Sequence, residues 1–280
     1  MVSSVYHTIG ASRQIFIQAP TGVGKTMSTI FPAVRAVGEG KGETIFYLTA
    51  KTITRTVAQE AFEVLREKGM KYKVVTITAK EKLCFMDETK CDPVHCPYAR
   101  GHFDRVNDAV YELWTMKSRY DRETIREQAE KWQVCPFEMC LDLSVWVDAV
   151  ICDYNYVFDP TVHLKRFFGE GAGGDYIFLI DEAHNLAERG REMYSASICR
   201  EDAVRVRKVM KERAPRLYRS LGKLDKQLKE LQVDCGNYLV LPGTGSITMT
   251  ILKVQGEFDA FLEAHKDVEL EDEVGEFKLS

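Results

Sequence analysis

Two spacings of apolar residues alternate along the first third of the chain. Val2, Val5, Tyr6 and Ile9 recur in steps of three and one, then three, which marks one face of a helix. That helix starts at residue 1 without a capping residue, as though the chain were cut into an existing helix. Ile15-Phe16-Ile17 is a short β-type run, and Met27–Val37 returns to helical spacing until G-E-G-K-G at 38–42 ends it. Glu43–Ala50 (E-T-I-F-Y-L-T-A) is rich in β-branched and aromatic residues and predicts a strand. Lys51–Lys68 predicts a helix with Val57, Ala61, Val64 and Leu65 on one face, and Lys73–Thr78 predicts a third strand. Strands alternating with helices imply a parallel sheet with crossover helices, an α/β fold.

The rhythm stops at Ala79 and resumes at Asp148–Cys152 and Tyr176–Ile180. Between lies a cysteine-bearing segment with a charged helical stretch, Phe103–Trp132, whose Val106, Val110, Leu113 and Trp114 share a face. The segment is expected to be an insertion hung on the sheet. Beyond Asn185 the composition changes: residues 200–229 hold eleven Lys/Arg against four Asp/Glu. There Leu217, Leu221, Leu224, Leu228 and Leu231 form an a/d seam on a helix starting near Pro215. The seam should pack on another helix and leave Arg216, Arg219, Lys223, Lys226 and Lys229 mostly solvated, either as a plain basic face or as a nucleic-acid track. Asn237–Val254 reads as strand or loop with L-P-G-T-G-S as a turn, Gly256–Lys266 as a short helix (Phe258, Phe261, Leu262), and Asp267–Glu276 as an acidic end. No internal repeat is visible.

Composition narrows the class. The 280 residues allow about two domains, and 45% hydrophobic with 29% charged residues is an ordinary globular balance. No apolar run nears the roughly 18–20 residues of a membrane span, and no signal-peptide pattern opens the chain, so cytoplasmic is the default expectation; a monomer is expected. A net charge of −4 gives no global attraction to polyanions, although it averages unlike regions.

The chemistry concentrates in two motifs. A-P-T-G-V-G-K-T (Ala19, Pro20, Thr21, Gly22, Val23, Gly24, Lys25, Thr26) follows a β-type run and opens a helix, the context of a phosphate-binding P-loop. Gly22 and Gly24 let backbone N–H groups point inward and the helix adds its positive end. Lys25 would reach the phosphates and Thr26 would put its hydroxyl on Mg²⁺. The competing reading is a glycine-rich turn followed by a chance Lys-Thr. Tyr176–Ile180 runs into Asp181-Glu182-Ala183-His184, a strand ending in an acidic pair. Asp181 would hold the same Mg²⁺, Glu182 would orient and deprotonate water, and His184 could link the γ-phosphate site to a neighbouring lobe. Together the motifs imply ATP and Mg²⁺. Thr49-Ala50-Lys51-Thr52 falls at the carboxyl edge of the sheet, as a ligand loop or simply as a cap for the next helix.

Eight cysteines in an ATP-binding chain read as metal ligands or free thiols before disulfides. Cys84, Cys91, Cys96 and Cys135 follow C-x6-C-x4-C-x38-C. Zinc sites favour tighter pairs, iron–sulphur sites tolerate irregular spacing and often place Pro after a ligand, as at Cys96-Pro97 and Cys135-Pro136. Scattered free thiols are the third possibility.

A-P-T-G-V-G-K-T (19–26), K-L-C (82–84), V-C-P-F (134–137), D-Y-N-Y-V-F-D-P (153–160) and D-E-A-H-N (181–185) together resemble the XPD/DinG family of superfamily 2 iron–sulphur DNA helicases. The resemblance covers about residues 15–190. It implies a RecA-like P-loop lobe at 1–78 and 148–190, a cluster insertion at 79–147, and a mostly helical arch from 191 to 280. It also implies a [4Fe–4S] cluster on Cys84, Cys91, Cys96 and Cys135, with Cys140, Cys152, Cys199 and Cys235 matching no ligand position. Single-stranded DNA is the implied partner, translocated 5′ to 3′ as ATP is hydrolysed, with Thr49–Thr52 touching its phosphates. The second motor lobe and the adenine-contacting segment of the family have no counterpart in these residues, so a piece of a longer helicase, with little turnover alone, is expected. The alternative is a nucleotide-dependent nucleic-acid-binding or redox-sensing module that hydrolyses ATP inefficiently.

Overall fold

A computed structural model describes residues 1–20, 22–50, 52–233 and 235–265. Thr21, Lys51 and the acidic stretch Asp267–Glu276 lie outside the described residues. The chain forms two compact units, Met1–Tyr194 and the residues from Ser195 onward.

In the first unit α1 (Val2–Gly10) packs on α2 (Lys25–Gly38), and β1 (Thr44–Leu48), α3 (Thr52–Glu67) and β2 (Val74–Thr76) follow in the predicted alternation. Next come the single turn α4 (Lys80–Leu83), α5 (His102–Met116), β3 (Arg119–Tyr120), α6 (Arg122–Trp132) and α7 (Pro136–Ser144). Then β4 (Ala149–Cys152), the short turns α8 (Asn155–Phe158) and α9 (Lys165–Phe168), β5 (Tyr176–Ile180) and α10 (Leu186–Met193) complete the unit. The five strands pair in the order β3-β2-β4-β1-β5, all parallel.

Strand periodicity divides the core into two layers. Ile45, Tyr47, Val74, Ala149, Ile151, Ile177 and Leu179 point to one side, where Ile30, Ala33 and Ala36 of α2 and Ala58, Ala61 and Phe62 of α3 cover them. Phe46, Leu48, Val75, Val150 and Cys152 point to the other side. Val106, Ala109, Leu113, Ile125, Ala129, Met139 and Leu143 from α5, α6 and α7 cover that face. The cysteine segment therefore supplies a whole layer of the sheet's core, and its β3 adds an edge strand beside β2. This was not legible because β3 is two residues long. Its break in the helical stretch is set by Asp121, whose side chain accepts the Thr124 N–H at 3.1 Å and caps α6.

Two local expectations are corrected. Ile15-Phe16-Ile17 is not a strand: it pairs with no described strand, and Phe16 is 89% exposed, so no layer buries a face that would stabilise pairing. On α3 the buried stripe is Ala58, Ala61 and Phe62 with Leu65 beside it, while Val57 and Val64 face solvent. The set is also spaced i, i+3, i+4, i+7, and it carries the large Phe62, whose burial is worth roughly 1.5–3 kcal/mol.

The second unit is built from α11 (Arg200–Arg213), α12 (Pro215–Val233) and α13 (Ile247–Ala264). Leu217, Leu221 and Leu224 pack with Ala203, Val206 and Met210 and with Val254, Phe258 and Phe261, and Leu228 joins them at the edge. Arg216, Arg219, Lys223, Lys226 and Lys229 are exposed, as the seam implied. Asp225 is buried under Arg200 (2.8 Å), Lys229 (3.2 Å) and Arg207 (3.8 Å). The expected strand-or-loop at Asn237–Val254 is corrected from Ile247 on: one helix runs to Ala264 through Gly256. Its β-branched residues favour strand locally, but Thr250, Val254, Phe258 and Phe261 fall on one helical stripe, and the packing overrides the preference.

Candidate functional site

The P-loop ends where α2 begins. Gly22 and Gly24 take φ of +83° and +76°, a conformation in which a Cβ would be strained although the space around both is open. Lys25 and Thr26 thus stand in the first turn of α2, where unpaired N–H groups and the helix dipole favour anions. The Lys25 ammonium donates to the Ala19 carbonyl at 3.3 Å and lies 3.8 Å from Glu182 Oε1. Pro20 and Val23 complete the loop's described part, with Val23 exposed.

The acidic pair follows β5. Asp181 donates its N–H to the Leu48 carbonyl (3.0 Å), which continues the ladder by one residue. Glu182 then turns into the left-handed region at φ +51°, a conformation that costs a non-glycine residue about 1–3 kcal/mol. Tyr154, buried after β4, holds this turn: its hydroxyl donates to the carbonyls of Asp181 and Glu182, the latter at 3.2 Å. Glu182 Oε2 also lies 3.4 Å from His184 Nδ1. Burial first, and then repulsion from Glu182, raises the Asp181 carboxyl above its ordinary range. Burial pushes the Tyr47 phenol, nearby on β1, well above its ordinary range. A divalent cation between Thr26 and Asp181 fits this donor set, a hydroxyl and a carboxylate being hard oxygen ligands.

Cys84, Cys91, Cys96 and Cys135 line one small cavity with Lys80, Phe85, Tyr98 and Phe137. Cys84 ends α4, Cys91 and Cys96 lie in the irregular loop that follows, and Cys135 caps α7 with Pro136 at its first position. The Cys135 N–H donates to buried His102 Nδ1 at 3.2 Å. Arg126 donates to the carbonyls of Leu83 (2.6 Å) and Cys84 (3.1 Å) and lies over the Phe85 ring, which itself packs on Tyr98. Among the described residues no three His, Cys, Asp or Glu side chains approach closely enough to chelate a single ion. All eight cysteines are free thiols. Cys140 is not in the cavity: it is buried among Met139 and Leu143 on the sheet-facing side, where burial pushes its thiol up to about 12.

Tyr154 and Arg126 are the contributors that motif reading missed. A tyrosine just past an apolar strand needs a partner for its hydroxyl when buried, and that was the available signal for Tyr154. In the loop after β1, Thr49 is buried and its hydroxyl bonds to that of Thr54. No described helix is long and apolar enough to cross a membrane.

Comparisons with known proteins bear on the family and the fold. A family model named DEAD_2 matches residues 63–203, and a DEAD/DEAH box helicase model matches residues 3–96. A Fanconi anemia group J protein homolog of Gallus gallus is 32% identical over 89 residues, 32% of this chain and 6% of that protein. Among solved structures, a truncated XPD superposes with a TM-score of 0.61 at 18% identity, over all of this chain and 80% of that one. An XPD helicase superposes with a TM-score of 0.56 at 16% identity, over 94% of this chain and 46% of that one. The chain thus spans only a small part of the curated relative it matches. With the DEAD_2 match covering half of its residues, the DEAD/DEAH box helicase match over its first third, and the parallel α/β sheet beneath them, the chain belongs to the DEAD_2 family.

Proposed function

We propose that this chain is the nucleotide- and cluster-binding part of an ATP-dependent DNA helicase. The observation that carries the reading is the meeting of the two motifs, with Lys25 Nζ 3.8 Å from Glu182 Oε1 at the carboxyl edge of the sheet. Mg-ATP would place its phosphates against the N–H groups of the loop 19–24 and the Lys25 ammonium. Thr26 and Asp181 would hold the Mg²⁺, which when bound neutralises charge on the phosphates. Glu182 accepts the proton of the attacking water, and its turn is held for that task by Tyr154. His184, beside Glu182 and largely exposed, is placed to signal to a neighbouring lobe.

The four cysteines that line the one cavity are the donors a [4Fe–4S] cluster would use, one thiolate to each iron. Single-stranded DNA would be contacted at the carboxyl edge by the Thr49–Thr52 loop, the basic face of α12 is by itself a candidate nucleic-acid track, and ATP hydrolysis would drive 5′ to 3′ movement in the intact protein. The lobe, cluster segment and arch are assigned to 1–78 with 148–190, 79–147 and 191–280.

Calorimetric titration with ATP tests the reading. Saturable binding that requires Mg²⁺ and is weakened by Lys25→Ala is expected, with slow turnover. Binding indifferent to Mg²⁺ and to Lys25 would overturn it.

A further inference from the structure

Three of the four thiols of the cavity stand on residues 84–101, which form only bends and turns. A stretch with no ladder or helix of its own opens readily unless packed elements hold it. At Cys96 local turns serve. Its N–H donates to the Asp92 carbonyl at 2.9 Å, and its carbonyl accepts the N–H groups of Ala99 (3.1 Å) and Arg100 (3.2 Å). At Cys84 the chain leaves a single helical turn, and the last carbonyls of a helix have no partner within it.

Arg126 supplies that partner from α6. It follows fully buried Ile125, and α6 is tied to α5 by Gln128, whose amide donates to the Ala109 carbonyl at 2.9 Å. From this fixed base the two hydrogens of Arg126 Nη1 reach the carbonyls of Leu83 at 2.6 Å and Cys84 at 3.1 Å. The same guanidinium lies 4.4 Å from the centre of the Phe85 ring. Phe85 in turn packs at 4.6 Å on Tyr98, two residues past Cys96. Residues 84 and 85 are thereby held at two points. The Met86 N–H that follows donates to Cys84 Sγ at 3.5 Å, so the orientation of the sulfur depends on that hold.

Resting on the proposed [4Fe–4S] reading, we propose that Arg126 is the positioning residue of the cysteine site. It fixes the Cys84 thiol and, through Phe85 and Tyr98, ties the Cys96 turn to it, so that the cluster is retained. Arg126 is not among the residues that line the cavity. Its effect is on how often the loop opens, and it leaves the sheet core unaltered.

The test challenges the anaerobically purified full chain with an iron chelator and times the loss of visible absorption, for the unaltered protein and Arg126→Gln. Removing two charge-assisted bonds should speed bleaching roughly tenfold or more. The chemical-denaturation midpoint of the metal-free chain should not move. Unchanged bleaching, or bleaching faster only in step with a lowered midpoint, as a merely structural role would give, overturns the inference alone. An unaltered chain without iron would overturn the cluster reading and this inference with it. Should Arg126→Gln not fold, a crystal structure of the iron-loaded unaltered chain decides. Arg126 Nη1 within about 3.5 Å of both the Leu83 and Cys84 carbonyls supports the anchor, and a longer separation to either contradicts it.

Discussion

The proposed nucleotide site and the cysteine cavity belong to one compact unit but are assembled in opposite ways. The proposed nucleotide site is made at the ends of elements: two glycines at positive φ, the first turn of α2 and the residues just past β5. Its groups are largely backbone N–H and short side chains, and each motif carries its own geometry. The cavity draws one thiol from the end of α4, two from the irregular loop that follows and a fourth from the cap of α7, after two intervening helices and a strand. Its geometry exists only once those helices have packed on the sheet. Short motifs thus specify a site built at strand and helix ends, whereas a site built across a layer depends on tertiary packing.

Changes at the nucleotide site should therefore act on chemistry or binding and leave the cavity intact. In the intact helicase Glu182→Gln should lower kcat by about 10²–10⁴ while keeping Mg-ATP binding, since Asp181 remains. Single-turnover hydrolysis checks this, and an unchanged rate would remove Glu182 from the role of base. Lys25→Ala comes next. It should weaken Mg-nucleotide binding by roughly 10- to 150-fold, the loss of charge-assisted bonds to phosphate, without altering metal content at the cysteines. A concurrent loss of bound metal would mean that the two sites are not independently built.

The smallest effect lies outside both sites. Asp225 is pushed up by burial, yet its bonds to Lys229 and Arg200 outweigh this and hold its carboxyl below the ordinary range. A lowered folded-state pKa stabilises above the unfolded value near 3.9, and the contribution is lost as pH falls through the folded value. Asp225→Asn should cost about 1 kcal/mol at neutral pH, discounted because Arg200, Arg207 and Lys229 are 31%, 32% and 55% exposed. Chemical denaturation of the variant at neutral and acid pH reads this: the difference should shrink as pH drops. Nucleotide and metal binding should not move.

The same contrast governs what was legible in the sequence. Strands β1, β2, β4 and β5 and helices α1 to α3 follow from periodicity, because each has a full stripe or alternation to bury. The P-loop and Asp181-Glu182 follow from short spacings. The approach of Lys25 to Glu182 depends on the pairing of β1 with β5, which no local pattern encodes. Two-residue β3 is too short to carry alternation, so the layer formed by α5 to α7 was read as an appendage. In α13 the β-branched Ile247, Thr248, Thr250, Ile251 and Val254 masked a helical stripe that only its packing partners make decisive.

The choice between Cys135 and Cys140, five residues apart, tests the account of the cavity most directly. Anaerobically purified protein is analysed for iron, sulphide and visible absorption, unaltered and as Cys135→Ser and Cys140→Ser. The account predicts a brown protein with about four irons per chain, Cys135→Ser colourless, and Cys140→Ser still brown because its thiol is buried in the sheet-facing layer away from the cavity. A colourless chain holding one zinc, or a Cys140→Ser protein that has lost its iron, would contradict it.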